Sequence, residues 1–297
     1  MADIKSVAFV GLGAMGAPMA ENLVKRQFRV TGFDMREAAR EALVAAGGHG
    51  AASAQEAATG ADALVLMVVN AAQARSVLFE TGALSALADG ASVILMATCP
   101  PAEVEAIAAK VEATGRSFVD APVSGGVKGA QGATLTIMVG AGPASFARAK
   151  PVLDAMGDKV FHVGEKPGQG ATVKTVNQLL AGVHIAVAAE ALSLAEKAGI
   201  DGGLLFEIMG GSAASSWMLR DRGPRMQESE PVVASAVDIF VKDLGIVLDA
   251  GRGAKAALPL AAAAHQMFLA ASGLGHGGRD DSQVVRAYRA LNPPAGE

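Results

Sequence analysis

Short, continuous apolar runs alternate with amphipathic stretches over the first half of the chain. VAFV, RVTGF, ALVLMVV, SVILMAT and SFVDAPV are hydrophobic at most positions, the pattern of strands buried on both faces. APMAENLVKRQ, REAAREALVAAG and PAEVEAIAAKVEATG fall between them and space their apolar residues three and four apart, which predicts helices. ATLTIMVG and KVFHVG add two strands, with the helix FARAKPVLDAM between them. Such alternation predicts an α/β domain built on a parallel, doubly wound sheet.

The pattern changes after GEKPGQG. From Ala171 onward it predicts helices alone: a long one to about Lys197, then LLFEIMGG, AVDIFVKDLGIVLDAG, PLAAAAHQMFLAASG and DSQVVRAYRAL. A helix of nearly 30 residues extends roughly 40 Å, enough to bridge two domains. The boundary is therefore expected near Pro167, dividing the chain into an α/β domain, 1–166, and an all-α domain, 167–297. No internal repeat or low-complexity segment interrupts this division.

Composition narrows the class. The chain has 297 residues, enough for two domains, and is 51% hydrophobic but only 4% aromatic, with 36 glycines. Its core is therefore built from aliphatic and small side chains. A net charge of -4 with no basic run argues against a nucleic-acid partner. A single cysteine, Cys99, excludes an intramolecular disulfide and suits a reducing compartment. The N-terminus passes straight into a strand, leaving no room for a signal peptide. The longest apolar run, LLAGVHIAVAA, falls short of the roughly 18 residues of a membrane span. These features lead us to expect a soluble, cytoplasmic protein with no membrane partner.

Several motifs bear on chemistry. GLGAMG, comprising Gly11, Leu12, Gly13, Ala14, Met15 and Gly16, follows the first strand and opens the first helix. A Gly-rich turn is the plain alternative, but this context is that of the dinucleotide fingerprint. There Gly11 permits the tight turn, Gly13 lets the backbone approach a pyrophosphate, and Gly16 allows helix and strand to pack closely. Asp34 closes the second strand 18 residues after Gly16, where a carboxylate accepts the ribose hydroxyls and favours NAD over NADP. Arg36, nearby, tempers that preference. DAPVSGG, residues 120–126, reads either as a simple loop or as an anion nest of Ser124 with the Gly125 and Gly126 amides.

A polar patch opens the long helix. Lys174, Asn177 and Gln178 share one face at i, i+3 and i+4. Lys174 is either a surface lysine, poorly placed against the helix dipole, or a group put there for chemistry. Lys242 and Asp243 sit in an otherwise apolar helix and read either as a solvated ion pair or as part of the same cleft. In one cleft, desolvation and like charge would lower Lys174 from about 10.4; a base near neutrality needs about three pKa units, roughly 4 kcal/mol.

Other candidates carry less. Tyr288 is the only tyrosine and is followed four residues on by Asn292, which excludes a Tyr-x-x-x-Lys dehydrogenase. His49, His162, His184, His265 and His276 show no metal-ligand spacing with Cys99 or the carboxylates, so no metal site is expected. Asp280 and Asp281 read as helix N-capping acids. Trp217 reads as a packing residue, with a pocket wall as the alternative.

Taken in order, GLGAMGAPMAENL, DAPVSGGVKGAQGATLTIMVG, GQGATVKTVNQ and FVKDLGIV resemble the 3-hydroxyisobutyrate dehydrogenase (β-hydroxyacid dehydrogenase) family over nearly the whole chain. The resemblance implies an N-terminal Rossmann domain, a long interdomain helix and an all-α C-terminal domain that forms homodimers or homotetramers. It implies NAD-dependent oxidation of a small hydroxy acid with Lys174 as general acid/base. Ser124, Gly125 and Gly126 would hold the substrate carboxylate, with Asn177 and Gln178 also at the substrate. Lys242 would sit at the cofactor and substrate cleft, and Thr98, in ATCP, near the nicotinamide ribose. Two departures stand out: many members have Asn where this chain has Gln178, and the usual Met-Leu-Pro turn is here VVN, with Val69 and Asn70 at the cofactor. With SSWML and DDSQVV they resemble the L-threonate-oxidising branch, in which the 2-hydroxyl of a sugar acid is oxidised and L-threonate gives 2-oxo-tetronate. A 3-hydroxyisobutyrate dehydrogenase, a tartronate semialdehyde reductase and, more remotely, a non-catalytic dinucleotide-binding module are the alternatives.

Overall fold

The computed structural model describes residues 3–293. The strands are β1 (Ser6–Val10), β2 (Arg29–Phe33), β3 (His49–Gly50), β4 (Ala63–Leu66), β5 (Ser92–Leu95), β6 (Ser117–Asp120), β7 (Val123–Ser124), β8 (Thr136–Gly140) and β9 (Lys159–Gly164). The helices beside them are α1 (Gly16–Lys25), α2 (Glu37–Ala45), α3 (Ala54–Ala58), α4 (Ala71–Phe79), α5 (Ala83–Ala86), α6 (Pro101–Glu112), α7 (Gly126–Gln131) and α8 (Pro143–Asp154). They form one sheet in the order β3-β2-β1-β4-β5-β6-β8-β7, with β9 paired to β8. Strand order reverses between β1 and β4, the switch point at which open α/β sheets bind ligands.

The first six strands run parallel, and β1, β4 and β5 are buried along their whole length. Alternate side chains serve opposite faces. Phe9, Val65, Ile94 and Val119 join Met19 and Leu23 of α1 and Val152 of α8 in one core. Ala8, Leu64, Val93 and Leu95 join Leu78 of α4 and Ile107 and Val111 of α6 in the other. The sheet departs from a wholly parallel one at its far edge, where β8 lies antiparallel to both β6 and β7. The chain turns back there through β7 and the six-residue α7 instead of crossing over by a full helix. ALVLMVV and SVILMAT stop being strand at Leu66 and Leu95, so Val69, Asn70 and Thr98 lie on the loops that follow.

Helix α9 (Gln169–Lys197) is 29 residues long and starts two residues before the expected Ala171. Its start is tied to the sheet by Asp120. The Oδ2 of this buried carboxylate accepts the backbone N–H groups of Gly168 and Ala171, each at 2.9 Å. These are among the N–H groups that a helix start leaves without an intrahelical acceptor. Burial pushes the Asp120 carboxyl up to about 7 although the amides of Ala171, Gly168 and Gly170 favour its anion.

By its contacts the chain divides into two compact units, residues 1–174 and 175–297. Beyond α9 the second unit consists of α10 (Gly202–Gly211), α11 (Trp217–Met226), α12 (Val237–Ala254), α13 (Pro259–Ala271) and α14 (Val285–Leu291). Among the described residues α9 alone is long and apolar enough to cross a bilayer. Its buried face serves instead as core: Ala181, Ile185, Ala189 and Leu192 cluster with Phe206, Phe240, Leu244 and Phe268. A Cβ on Gly182 would fall 2.8 Å from the Leu244 side chain, so α9 and α12 pack closely there and a larger residue would require Leu244 to shift.

The hydrophobic pattern gives no sign of α11, whose sequence WMLRDRGPRM includes Gly223 and Pro224. Ser216 caps it by accepting the Leu219 N–H. Arg222 and Arg225 then fix it from its flank. Arg222 is bidentate on Asp281 at 2.9 Å, and Arg225 meets Asp280 at 2.7 Å. Asp280 caps as expected, accepting from the Ser282 N–H, and both aspartates are in addition fully buried ion-pair partners. Trp217, expected in packing, is 47% exposed and lies against the Arg222 guanidinium.

Asp120 makes the pH dependence of stability testable. An unfolded aspartate titrates near 4, so between about pH 4 and 7 the folded state holds a proton that the unfolded state has released. Stability therefore falls as pH rises through that window and levels off above 7. Between pH 5 and 7.5 the loss amounts to about 2–3 kcal/mol. Asp120→Asn, neutral throughout, gains stability relative to the parent by that amount over the same range. Urea melts of both proteins at the two pH values measure the gap; a gap that does not change with pH would refute the raised carboxyl.

Candidate active site

The C-terminal ends of the parallel strands converge on one edge of the sheet. The loop after β1 carries residues 11–16, with Gly11 at φ +96°. A Cβ on Gly11 would lie 2.4 Å from the Met67 carbonyl oxygen, and one on Gly16 only 1.8 Å from the Gly11 carbonyl oxygen. Both positions exclude any other residue. Gly13 has no neighbour within 4 Å of its missing side chain, so its backbone faces open space. Leu12 is buried in the core, and Ala14 and Met15 lead into α1, which no side chain caps. Of its first backbone N–H groups, that of Ala17 is taken by the Gly13 carbonyl and Pro18 has none, so an anion would be met by the amides of the loop that precedes them.

Asp34 follows β2 on the neighbouring strand. Its Oδ2 accepts the Leu12 N–H at 2.9 Å, and its Oδ1 accepts the Arg36 N–H at 2.9 Å and Nε at 3.1 Å. Partial burial would raise its carboxyl, but the Arg36 side chain and the Arg36 and Leu12 amides outweigh this and hold it below the ordinary range. The carboxylate is ionised and turned toward the glycine loop. Arg36 also donates to the Leu12 carbonyl at 3.0 Å, with its side chain 64% exposed.

After β4, on the other side of the switch point, Asn70 caps α4 by accepting the Gln73 N–H, while Gln73 Oε1 accepts the Val69 N–H. This reciprocal pair holds the loop rigid, and Val69 is left half-exposed. Thr98 lies two residues before the Pro100–Pro101 start of α6. Residues 11–16, Asp34, Val69, Asn70 and Thr98 are therefore gathered along the ends of four adjacent strands, β2, β1, β4 and β5. Ser124 ends β7, and Gly125 and Gly126, at φ +135° and +62°, turn the chain into α7. Gly126 borders open space. Both φ values lie where glycine is at ease and other residues are strained.

Lys174 lies on the second turn of α9, four residues beyond the Gly170 position that packs on Asp120, and is 7% exposed. The solvated surface lysine is thereby set aside. In the second unit Gln178 is also 7% exposed and its amide bonds Asn177 and Asp243. Lys242 donates to Asp243, whose side chain is 2% exposed, so this is no solvated ion pair. Asp120 and Asp243 are the two residues whose part the sequence reading missed. Each is a charged side chain at the end or in the middle of an apolar segment, a placement that demands partners.

The residues suit NAD. An open glycine backbone, an uncapped helix start and an ionised carboxylate one strand away match the pyrophosphate and ribose of a dinucleotide. Comparison with known proteins agrees. The model described as the NAD-binding domain of 6-phosphogluconate dehydrogenase matches residues 6–164, and that described as NAD-binding of NADP-dependent 3-hydroxyisobutyrate dehydrogenase matches 168–288. An L-threonate dehydrogenase of Cupriavidus necator is 42% identical, covering 98% of each chain. A 3-hydroxyisobutyrate dehydrogenase of Pseudomonas aeruginosa is 37% identical over 95% of this chain and 98% of that one. The crystal structure of a 3-hydroxyisobutyrate dehydrogenase from Salmonella typhimurium superposes with a TM-score of 0.91 at 42% identity, covering 95% of this chain and 99% of that one. The chain belongs to the 3-hydroxyisobutyrate dehydrogenase family of NAD-dependent hydroxyacid dehydrogenases.

Proposed function

We propose that this dehydrogenase oxidises the 2-hydroxyl of a sugar acid, L-threonate giving 2-oxo-tetronate (2-dehydro-L-erythronate), with Lys174 as general acid/base. The observation that carries the chemistry is the burial of Lys174 on the second turn of α9, just past the N–H groups held by Asp120. The substrate is argued from a relative named L-threonate dehydrogenase at 42% identity over almost the full chain.

Each residue has a distinct task in this reading. Ser124 and the Gly125 and Gly126 amides hold the substrate carboxylate, fixing one end of the acid. Lys174, acting in its unprotonated form, takes the proton of the 2-hydroxyl as the carbonyl forms, and returns it in the reverse direction. Asn177 and Gln178, on the same helix face, orient the remaining hydroxyls. NAD, when bound, supplies the acceptor for the hydrogen and electron pair that leave C2. The residues proposed to hold it are 11–16, Asp34, Val69, Asn70, Thr98 and Lys242, within domains of 1–166 and 167–297. A reducing compartment suits the lone buried Cys99, and we place the protein in the cytoplasm. The names of the Pseudomonas and Salmonella proteins favour 3-hydroxyisobutyrate as the second reading.

The exposed face of α9 supports a homodimer. Val173, Val176, Leu180, Val187 and Leu194 are 39–71% exposed and recur at intervals of three, four and seven residues, one apolar stripe along the helix. A second copy of the chain would cover it.

Four results are expected. Lys174→Ala lowers kcat by roughly 10²–10⁴ while NADH binding, followed by fluorescence, is retained. Initial rates on L-threonate, D-erythronate, 3-hydroxyisobutyrate and D-glycerate should be highest for L-threonate; a preference for 3-hydroxyisobutyrate would keep Lys174 and discard the sugar acid. Asp34→Ala, which removes the charge that opposes a 2′-phosphate and releases Arg36, shifts the NAD:NADP ratio of kcat/KM toward NADP by about tenfold or more. Light scattering tests the stripe: Leu180→Glu with Val187→Glu should convert a dimer to monomers, and an unchanged mass would remove α9 from the interface.

A further inference from the structure

The second unit contains an unbroken relay of four polar side chains. Asn177 Nδ2 donates to Gln178 Oε1 at 2.9 Å, Gln178 Nε2 donates to Asp243 Oδ2 at 2.5 Å, and Lys242 Nζ donates to Asp243 Oδ1 at 2.5 Å. Its directions follow from chemistry. An ionised carboxylate only accepts, so Gln178 must turn its nitrogen to Asp243. That turns Oε1 toward Asn177, whose own nitrogen must then donate. The acceptor lying outside the relay is Asn177 Oδ1.

Accessibility separates the members. Asp243 is 2% exposed and Gln178 7%, whereas Asn177 is half-buried and the Lys242 side chain is 23% exposed. Asp243 is therefore closed to any solute, and both of its oxygens are engaged by neighbours that are more open than it is. A glutamine at 178 spans the gap to Asp243; an asparagine, one methylene shorter, would leave Oδ2 without this donor.

We infer that Asp243 is a positioning residue that sets Gln178 and Lys242 together, and that Asn177 Oδ1, aligned through Gln178, is the acceptor offered to a substrate hydroxyl. This rests on the proposed oxidation of a hydroxy acid and refines it. Gln178 orients and Asn177 recognises. A pure acceptor at Asn177 pairs with a hydroxyl donor and gains nothing from a methyl group, which is a chemical basis for preferring a polyhydroxy acid. Lys242, held by the other carboxylate oxygen, ties the cofactor contact to the same anchor.

A buried carboxylate also supports the fold, so the test must read something that folding does not move. Gln178→Ala, Asn177→Ala, Lys242→Ala, Asp243→Asn and the double variant Gln178→Ala/Asp243→Asn are assayed as full-length enzymes on whichever acid the parent oxidises best. Gln178→Ala and Asn177→Ala should each raise KM for the acid roughly tenfold and leave KM for NAD unchanged. Lys242→Ala should do the reverse, and Asp243→Asn should raise both. The double variant should raise KM for the acid no further than Asp243→Asn alone, because one residue acts through the other. Multiplying effects, or an Asp243→Asn enzyme that loses thermal stability with both KM values intact, would overturn the inference. Should Asp243→Asn fail to fold, Gln178→Asn leaves the Asp243–Lys242 pair in place and breaks only the reach; an unchanged KM for the acid then refutes the relay. The substrate panel fails or succeeds independently of these ratios, and NADH titration of Lys242→Ala and Asp243→Asn decides the cofactor arm without any acid.

Discussion

The arrangement of the first unit depends on one carboxylate accepting the leading N–H groups of one helix. Asp120 ends β6 and pairs in register with Gly140 of β8. From there its Oδ2 takes the amides of Gly168 and Ala171. The junction is too close for side chains. A Cβ on Gly140 would lie 2.6 Å from the Lys166 carbonyl oxygen, and one on Gly170 2.4 Å from that of Met138. Helix α9 is thus pressed against the sheet edge at its first turn, with its azimuth fixed by two hydrogen bonds. The side chains one turn later point where that azimuth sends them, and Lys174 is the first of them. A surface loop at the same place would let the helix start fray, and the lysine with it.

Burying charge has three different solutions in this chain. At Asp120 only neutral amides oppose desolvation, so desolvation wins and the carboxyl is pushed up to about 7. At Asp34 a guanidinium joins the amides, and the same balance tips the other way. At Asp280 and Asp281 full burial is matched by direct pairing to Arg225 and Arg222. These pairs hold α11, a segment that carries both glycine and proline and that intrinsic propensity alone would not keep helical. Position follows role. The carboxylate beside the glycine loop is the one given a cation, and the carboxylate that anchors a helix is given only backbone.

Much of this was legible in the sequence. The alternation of strand and helix, the glycine fingerprint with Asp34, and the long helix with its polar start are local signals, carried by spacing within about thirty residues. What escaped was non-local. The antiparallel return of β8 depends on a turn-back through Ser124 and α7 that leaves no periodic trace. The Arg222–Asp281 pair joins residues 59 apart, and neither side chain announces its partner. Asp120 and Asp243 were visible as charges in apolar company, but burial alone does not tell which partner resolves it. Gln178 was read from its chemistry as reaching toward substrate. Its reach to Asp243, 65 residues on, required the packing of α9 against α12.

Helix α9 shows why periodicity alone is a weak guide to such an element. A helix with one buried side has a strong apolar stripe opposite a polar one. In α9 the buried stripe of Ala181, Ile185, Ala189 and Leu192 is faced by a second apolar stripe of Val173, Val176, Leu180, Val187 and Leu194 on the open side. The two oppose each other, so the contrast that marks an amphipathic helix largely vanishes and the segment reads as uniformly apolar. Five large aliphatic side chains in one exposed row form a contiguous apolar patch and not scattered surface hydrophobes. The row is maintained over six turns, broken by Glu190, and it starts level with Lys174. The buried face therefore sets the constraint on the helix start: Lys174 and Gln178, at i and i+4, lead directly into the row of Ala181, Ile185, Ala189 and Leu192, while Val173, Val176 and Leu180 open the exposed row on the other side.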